Sequence, residues 1–160
     1  MEIRRATEAD FDAIRDVAYA AWKATYDDIL DEDTITRTVE EWYAPDALRT
    51  LIDQRETDFL VADDGGVVAF CHGVSTANEG DIVRLYTHPD RWDEGIGYRL
   101  YERFRDDLRD DGVAEMRAIV VDGDEMAETL FTRMGFRKSG SGSVTMADQE
   151  VAESVYSRAV

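Results

Sequence analysis

The 160-residue sequence is poor in several residue types, and each shortage narrows what the chain can be. Its only cysteine, Cys71, excludes an internal disulfide and fits a reducing compartment. It contains no apolar run that approaches the roughly 18 residues of a membrane span, and it shows no signal-peptide pattern. We therefore expect a soluble, cytoplasmic protein that has no membrane partner.

Basic residues are scarce as well. Lysine occurs only at Lys23 and Lys138, and 18 basic residues face 36 acidic ones, which gives a formal net charge of −18. The acids are scattered along the whole chain, as is typical of a solvated surface rather than of an interaction tail. This composition argues against nucleic-acid binding and favours adaptation to high salt over a dedicated basic partner.

The hydrophobic pattern predicts one α/β domain over residues 1–160, with the element order βαα-ββ-βα-βα-ββ and a mixed sheet. The predicted strands are Glu2–Arg5, Asp58–Ala62, Val67–Val74, Asp81–Thr87, Glu115–Val121, Phe136–Met146 and Val151–Val160. One helix follows Thr7, and a mostly helical segment over Tyr26–Ile52 is interrupted near Pro45. A further helix begins at Ile96, and the last one covers Asp122–Met134. We find no repeat and no linker.

The stretch from Asp81 to Leu108 carries the clearest functional pattern. An alternating strand is followed by a short loop with His88 and Pro89, and then by a helix whose apolar residues recur every four positions: Ile96, Leu100, Phe104 and Leu108. Gly95 and Gly97 lie where this helix begins. Unpaired N–H groups and the positive end of the helix dipole meet there, so the pattern predicts a phosphate site.

The glycine spacing distinguishes between the known kinds of phosphate-binding motif. A dinucleotide fingerprint needs a third glycine where Leu100 stands, and the G-K-[ST] of a P-loop is absent from the chain. The segment W-D-E-G-I-G, Trp92 to Gly97, instead resembles the pyrophosphate loop [QR]-x-x-G-x-[GA] of the GNAT N-acetyltransferases. Asp124–Phe136 is similar to a second motif of that family, N-x-x-A-x-x-x-Y-x-x-x-G-F.

The resemblance implies a GNAT-like mixed, mostly antiparallel central sheet flanked by helices, with acetyl-CoA as cosubstrate. The implied pyrophosphate contacts are the loop residues Trp92, Asp93, Glu94, Gly95, Ile96, Gly97 and Tyr98. The strand residues Leu85, Tyr86 and Thr87 are expected to pair with the pantetheine arm and to polarise the thioester. Asp124 and Phe131 occupy two further cofactor positions, where the family pattern has Asn and Tyr.

For the base that accepts the amine proton, the resemblance points to Asp81, with Glu79 as its substitute. Asp81 lies eleven residues before Trp92, a spacing at which some family members carry a catalytic Glu. The alternative is that both are solvent-exposed acids in an acid-rich protein. The family's Tyr protonates the leaving thiolate, whereas Phe131 has no such proton, so water, Tyr86 or Tyr98 is expected to supply it.

Other chemistry-bearing residues suggest structural roles. We expect Cys71 to fill the core, His72 to pack in its strand and His88 to shape the loop. No cluster has metal-ligand spacing, so no metal is expected. Four aromatic residues fall in the region that covers the acceptor site in this family: Trp22, for which packing is favoured, and Tyr26, Trp42 and Tyr43, which stay open between packing and lining a substrate pocket.

The function that the resemblance implies is transfer of acetyl from acetyl-CoA to a primary amine by direct attack in a ternary complex. The acceptor is expected to be a small molecule or a peptide, and which amine it carries stays open. The alternative is an acyl-CoA-binding regulatory module that does not turn over, which Phe131 and the altered loop suggest. The oligomeric state is also open, with a homodimer as one option.

Overall fold

The computed structural model describes residues 1–160 and contains seven strands and five α-helices. The strands are β1 (Glu2–Arg5), β2 (Thr57–Asp63), β3 (Val67–Ser75), β4 (Glu79–Thr87), β5 (Glu115–Val121), β6 (Arg137–Met146) and β7 (Gln149–Ala159). The helices are α1 (Phe11–Tyr26), α2 (Glu32–Trp42), α3 (Pro45–Asp53), α4 (Ile96–Asp110) and α5 (Glu125–Arg133). None of these helices combines the length and the apolar character that crossing a membrane requires.

All seven strands form one sheet in the order β1-β2-β3-β4-β5-β7-β6. Neighbouring strands are antiparallel except for β4 and β5, which are parallel because α4 connects them as a crossover. The predicted α/β class, with a mixed and mostly antiparallel sheet flanked by helices, is therefore confirmed.

The mostly helical segment before β2 is divided into two helices at the predicted interruption. Pro45 occupies the first turn of α3, where its missing N–H leaves no acceptor unpaired and its fixed φ suits a helix start. Asp31 begins α2 by accepting a hydrogen bond from the Thr34 N–H at 2.7 Å. Three helices consequently precede β2.

The sheet buries one hydrophobic core on each face. Helices α1, α2 and α3 cover the first face, with Trp22, Leu48 and Phe70 among the buried residues of that core. Helices α4 and α5 cover the second face, where Phe104 and Phe131 are buried. Because side chains alternate along a strand, Phe59 and Val61 point into the first core while Leu60 and Ala62 point into the second.

The residues given structural roles by the sequence take them. Cys71 is fully buried in the second core, and burial raises the pKa of its thiol to about 12, so it is an inert side chain. His72 stacks on Phe59, with ring centroids 5.6 Å apart. The Nδ1 of His88 accepts a hydrogen bond from the Asp90 N–H at 3.1 Å, which holds the turn after β4.

Helix α4 packs directly against the backbone of β3 and β4, because these strands present glycines to it. A Cβ atom built on Gly73 would stand 2.5 Å from Cε1 of the Phe104 ring, and one built on Gly80 would stand 2.5 Å from both methyls of Leu108. Neither position has room for a methyl group. The close approach bears on the site because it holds α4, and the predicted phosphate loop leads directly into this helix.

We expect Gly73→Ala to lower the free energy of unfolding by about 1–3 kcal/mol, since the rigid and fully buried Phe104 ring must move. Gly142→Ala is the matched control, because a Cβ there meets nothing within 4 Å on the exposed strand β6. Urea unfolding of both variants measures the difference. A loss in Gly73→Ala no larger than in the control contradicts the close packing, and adding Phe104→Leu should recover part of a real loss.

Candidate active site

Strands β4 and β5 separate partway along their length. Their parallel pairing covers only Glu79–Ile82 against Glu115–Ala118, although β4 continues to Thr87 and β5 to Val121. The separation begins beside an irregularity in the β3–β4 register, where Gly73 pairs with Ile82 and His72 with Arg84. Val83 is the extra residue, and such a bulge bends its strand away from the neighbour. A cleft therefore opens between the ends of β4 and β5.

The free edge of β4 presents backbone donors to this cleft. The N–H of His88 donates to the carbonyl of Val68 on β3 at 2.8 Å. Since donors alternate between the two sides of a strand, the N–H groups of Leu85 and Thr87 face away from β3 and toward the gap. The Thr87 carbonyl also faces that way and accepts a hydrogen bond from Trp92 Nε1 at 2.8 Å.

A cavity of about 660 Å³ occupies the cleft and extends to the start of α4. Most of the residues that the resemblance assigned to the cofactor line it: Leu85, Tyr86, Thr87, Trp92, Asp93, Gly95, Ile96, Gly97, Tyr98, Asp124 and Phe131. Glu94 does not line it. The structure thus brings together residues from β4, the following loop, α4 and α5, whose contacts with a cofactor stay a prediction.

The loop before α4 is rich in unpaired donors. None of the backbone N–H groups from Asp93 to Tyr98 donates to a backbone acceptor. Gly95 precedes the helix with φ of +76°, a left-handed conformation that glycine adopts without strain, and Asp93 has φ of +65°. Consecutive N–H groups at a helix start form an anion-binding site, so the loop geometry suits a pyrophosphate.

Charges around this loop are partly compensated. Glu94 accepts two hydrogen bonds of 3.0 Å from Arg91 Nε, and Arg91, which lines the cavity, also pairs with Asp64 at 2.7 Å. Asp93 is exposed and has no ion-pair partner. Arg133 was not predicted from the sequence. It lines the cavity from the end of α5 and has no carboxylate partner, so its charge is free to pair with a phosphate group.

Three polar side chains form a buried hydrogen-bonded chain beside the cavity. The hydroxyl groups of Tyr86 and Tyr26 are 2.7 Å apart, and the Tyr26 hydroxyl lies 3.4 Å from Oδ2 of Asp124. Oδ1 of Asp124 accepts from the Ala127 N–H at 3.1 Å, so this carboxylate also caps α5. Burial raises the pKa of Tyr86 to about 12 and raises the pKa values of Tyr26 and Asp124.

The other aromatic residues of the acceptor region pack in the first core. Trp22 is fully buried and packs edge-on against Tyr26, Trp42 and Tyr43, with ring centroids 5.0–6.4 Å apart. The guanidinium of Arg84 lies 4.8 Å from the centroid of the Trp42 ring and 3.4 Å from Glu153. None of these aromatic residues lines the cavity. Packing, as predicted, accounts for Trp22, and it also accounts for Trp42 and Tyr43.

Phe131 lines the cavity from α5 but offers it only carbon atoms. Its ring is 3% exposed and packs edge-on against Phe136, with centroids 5.2 Å apart. The structure therefore places no proton donor at this position of α5. Tyr86 is the phenol that reaches the cavity from β4, and Tyr98 is an exposed phenol in the first turn of α4.

The structure does not bring Asp81 or Glu79 to the cavity. Both oxygens of Asp81 accept hydrogen bonds from Arg117 on β5, at 2.9 and 2.8 Å, and Glu79 lies 3.0 Å from the same guanidinium. Taking up a proton at Asp81 breaks this bidentate pair. Arg117 therefore holds both carboxylates outside the cavity, and their catalytic role stays a prediction.

Comparisons with known proteins agree with this geometry. The family model described as "Acetyltransferase (GNAT) family" matches residues 12–136. The spermidine N(1)-acetyltransferase of Thermoplasma acidophilum is 26% identical over 142 residues, which are 86% of this chain and 88% of that protein.

Solved structures show the same fold. The PaiA N-acetyltransferase of Thermoplasma acidophilum, in complex with coenzyme A, superimposes with a TM-score of 0.86 at 22% identity, over 99% of this chain and 98% of that one. A GCN5-related N-acetyltransferase from Rhodopseudomonas palustris gives 0.84 at 16% identity, over 99% and 95%. The parted strands, the donor-rich loop and a family match over most of the sequence lead to one conclusion: the chain belongs to the GNAT acetyltransferase family, whose acyl donor is acetyl-CoA.

Proposed function

We propose that the protein transfers the acetyl group of acetyl-CoA to a primary amine by direct attack within a ternary complex. The observation that carries the proposal is the continuous cavity between the open edge of β4 and the unpaired N–H groups of residues 93–98. One end of this cavity suits a pyrophosphate. At the other end, the N–H groups of Leu85 and Thr87 face the place where β4 and β5 part.

The reaction needs few protein groups. The neutral amine nitrogen attacks the thioester carbon, and the C–N bond forms while charge develops on the carbonyl oxygen. A backbone N–H of Leu85 or Thr87 donates to that oxygen, in the manner of an oxyanion hole. The C–S bond then breaks, the amine nitrogen loses a proton, and the thiolate gains one. The products are an N-acetyl amine and coenzyme A.

A polyamine is the acceptor class we propose. The relative from Thermoplasma acidophilum is named for spermidine acetylation, and the cavity wall of this chain supports a cationic acceptor. Glu125 lines the cavity from the first turn of α5, and its carboxylate has no basic partner. A ligand with several ammonium groups leaves one neutral amine to react while another of its charges lies near this carboxylate.

A panel of amines tests both levels of the proposal. Thiol release is measured with acetyl-CoA and spermidine, spermine, a monoamine, free amino acids, an aminoglycoside and a lysine peptide, each at low and at molar KCl. We expect turnover with the polyamines at kcat/KM values at least about tenfold above those of the monoamine. Turnover restricted to another amine overturns the acceptor class but leaves the acetyl transfer in place.

The alternative, a module that binds acyl-CoA without turnover, is favoured by the missing donor at Phe131. Calorimetry with acetyl-CoA, run beside the panel, separates it from the enzyme. Binding without thiol release on any amine identifies the module. Absence of binding at every salt concentration removes both candidates.

Asp81→Asn tests the base suggested by the sequence. Because Asp81 is held by Arg117 outside the cavity, we expect kcat to stay within about threefold of wild type, while the melting temperature falls because an ion pair is lost. Steady-state kinetics and thermal unfolding measure the two quantities. A fall in kcat of about 100-fold or more with unchanged acetyl-CoA affinity restores Asp81 as the base.

A further inference from the structure

The buried chain of Tyr86, Tyr26 and Asp124 links two parts of the cavity wall through the protein interior. Tyr86 lines the cavity from β4, and Asp124 lines it from the start of α5. Tyr26 does not line the cavity but joins the other two, with oxygen–oxygen distances of 2.7 and 3.4 Å. Acetyl transfer needs a proton removed at the amine and another delivered at the sulfur, and this chain ends at two cavity-lining groups.

We propose, on the basis of the acetyl transfer proposed above, that Asp124 accepts the proton of the attacking amine and that Tyr86 delivers one to the leaving thiolate, with Tyr26 as the relay between them. Tyr86 and Asp124 are then catalytic residues, and Tyr26 is a positioning residue that acts through both. The relay occupies the role that Phe131 cannot fill.

The direction of the hydrogen bonds couples the two proton transfers. With Asp124 ionised, the Tyr26 hydroxyl donates to the carboxylate, so the hydroxyl of Tyr86 donates to Tyr26 and offers no hydrogen to the cavity. Once Asp124 is protonated it becomes a donor, and the bonds reverse: Asp124 donates to Tyr26, and Tyr26 donates to Tyr86. The hydrogen of Tyr86 is then free to point to the sulfur.

The step balances without an external acid or base. The amine nitrogen forms the C–N bond and gives one proton to Asp124, while the C–S electron pair leaves with sulfur. Sulfur takes the proton of Tyr86, Tyr86 takes that of Tyr26, and Tyr26 takes that of Asp124. The products are the amide and the thiol, and the chain returns to its starting state with Asp124 ionised.

The surroundings suit a chain that changes its protonation within one turnover. Burial favours the neutral forms of all three groups, which makes Asp124 a better proton acceptor than an exposed carboxylate. The other ionisable groups that face the chain are Arg84 on β4, Glu153 on β7, Glu128 on α5 and Tyr43 beside α2. Arg84 offsets part of the charge that Tyr86 carries when it is ionised.

Three substitutions that keep the shapes of the side chains test the relay: Tyr86→Phe, Tyr26→Phe and Asp124→Asn. Each is expected to lower kcat by about 100-fold, the lower end of what a positioned acid or base is typically worth. Acetyl-CoA affinity should stay within about threefold. Asn retains an acceptor for the Ala127 N–H, so Asp124→Asn keeps the helix cap while it removes the acid limb of the pH profile of kcat.

Matched controls separate the relay from general packing effects. Tyr43→Phe removes a phenol oxygen from the same aromatic cluster, and that oxygen has no hydrogen-bond partner, so kcat should not change. Because the relay acts as a unit, Tyr26→Phe combined with Tyr86→Phe should be no slower than the slower single variant. Phe131→Tyr places a phenol on α5 and should restore at least about tenfold of the rate that Tyr86→Phe loses, whereas in wild type it should change kcat less than tenfold.

The possible results distinguish a failure of the relay from a failure of the acetyl transfer on which it rests. If wild type turns over and all three relay variants stay within threefold of it, the relay is wrong and the acetyl transfer stands. The same follows if the variants lose activity only in proportion to lost fold, as judged by circular dichroism and melting temperature. If wild type binds acetyl-CoA but acetylates no amine, the proposed function and the relay fall together.

Discussion

Gly97→Glu is expected to weaken acetyl-CoA binding by at least about 100-fold, the largest single effect that the site predicts. Gly97 lies in the first turn of α4 and lines the cavity beside the unpaired N–H groups. A Cβ there meets protein atoms only at 3.8 Å, on Leu130, and at 4.0 Å, on Thr87. The glutamate side chain therefore fits the folded protein and extends into the space where the pyrophosphate is proposed to bind.

The magnitude follows from charge as well as from space. Two unit charges about 4 Å apart interact by about 4 kcal/mol at the effective dielectric constant of a protein surface, and about 1.4 kcal/mol corresponds to a tenfold change in affinity. A carboxylate beside a pyrophosphate thus costs roughly 100-fold or more even when it is partly screened. The same carboxylate also competes for the free N–H groups of the loop.

Calorimetry of wild type and variant at molar KCl measures the loss, and salt is kept high so that both are folded. Gly142→Glu adds the same charge at an open position on β6 and should bind acetyl-CoA within about twofold of wild type. Wild-type affinity in Gly97→Glu refutes the loop as the pyrophosphate site. Weakening of both by the same factor assigns the effect to net charge alone.

The position of the loop could be predicted because its determinants are local. The change from strand to helix periodicity, Gly95 at a left-handed position and the His88–Pro89 turn all lie within a few residues of each other. The cap of α5 is equally local, since Asp124 accepts from the N–H of Ala127 three residues later. Patterns of this kind determine which backbone groups remain unpaired, so the donor-rich loop proposed as the phosphate site follows from short-range rules.

The side-chain partners in the site could not be predicted in the same way. Arg117 meets Asp81 because the parallel pairing of β4 with β5 sets them opposite each other, 36 positions apart in sequence. Tyr26 and Asp124 are 98 positions apart, and they meet only after α1 packs on the sheet. Register and helix packing place these groups, and a one-residue shift in either separates them.

Glu94, which was predicted to contact the cofactor but does not line the cavity, is a further example. In the sequence it stands among the loop residues, but in the structure it pairs with Arg91, whose guanidinium also binds Asp64, 27 positions away. The bulge at Val83 also depends on a partner strand, because it is defined by the register with β3. Local sequence patterns thus indicated which elements build the site, whereas contacts between elements decide which side chains face it.

A second large effect is expected from salt. The melting temperature should rise by about 10 °C between roughly 0.1 M and 2 M KCl, because 36 acidic residues face only 18 basic ones in a chain of 160 residues. The screening length falls from about 10 Å at 0.1 M to about 3 Å at 1 M, so repulsion among exposed carboxylates weakens strongly. One kcal/mol shifts the melting temperature of a domain of this size by about 2–4 °C, and a few kcal/mol is therefore sufficient.

The end of α4 allows the origin of this effect to be located. Asp110 and Asp111 are exposed at the helix C-terminus, neither has an ion-pair partner, and each opposes the negative end of the helix dipole. Asp110→Lys combined with Asp111→Lys should stabilise the protein by about 1–2 kcal/mol at low salt and by much less at 2 M KCl. Glu56→Lys with Glu150→Lys makes the same change in net charge outside any helix and serves as the control.

The comparison separates repulsion over the whole surface from local helix effects. If net charge dominates, the two double variants should raise the low-salt melting temperature by similar amounts and should reduce its dependence on KCl alike. If the helix end dominates, only the α4 variant should do so. A melting temperature of wild type that is flat from 0.1 to 2 M KCl excludes both explanations. Its acidic surface then has to be explained by what it attracts, and the first measurement is whether spermidine binds more weakly as salt rises.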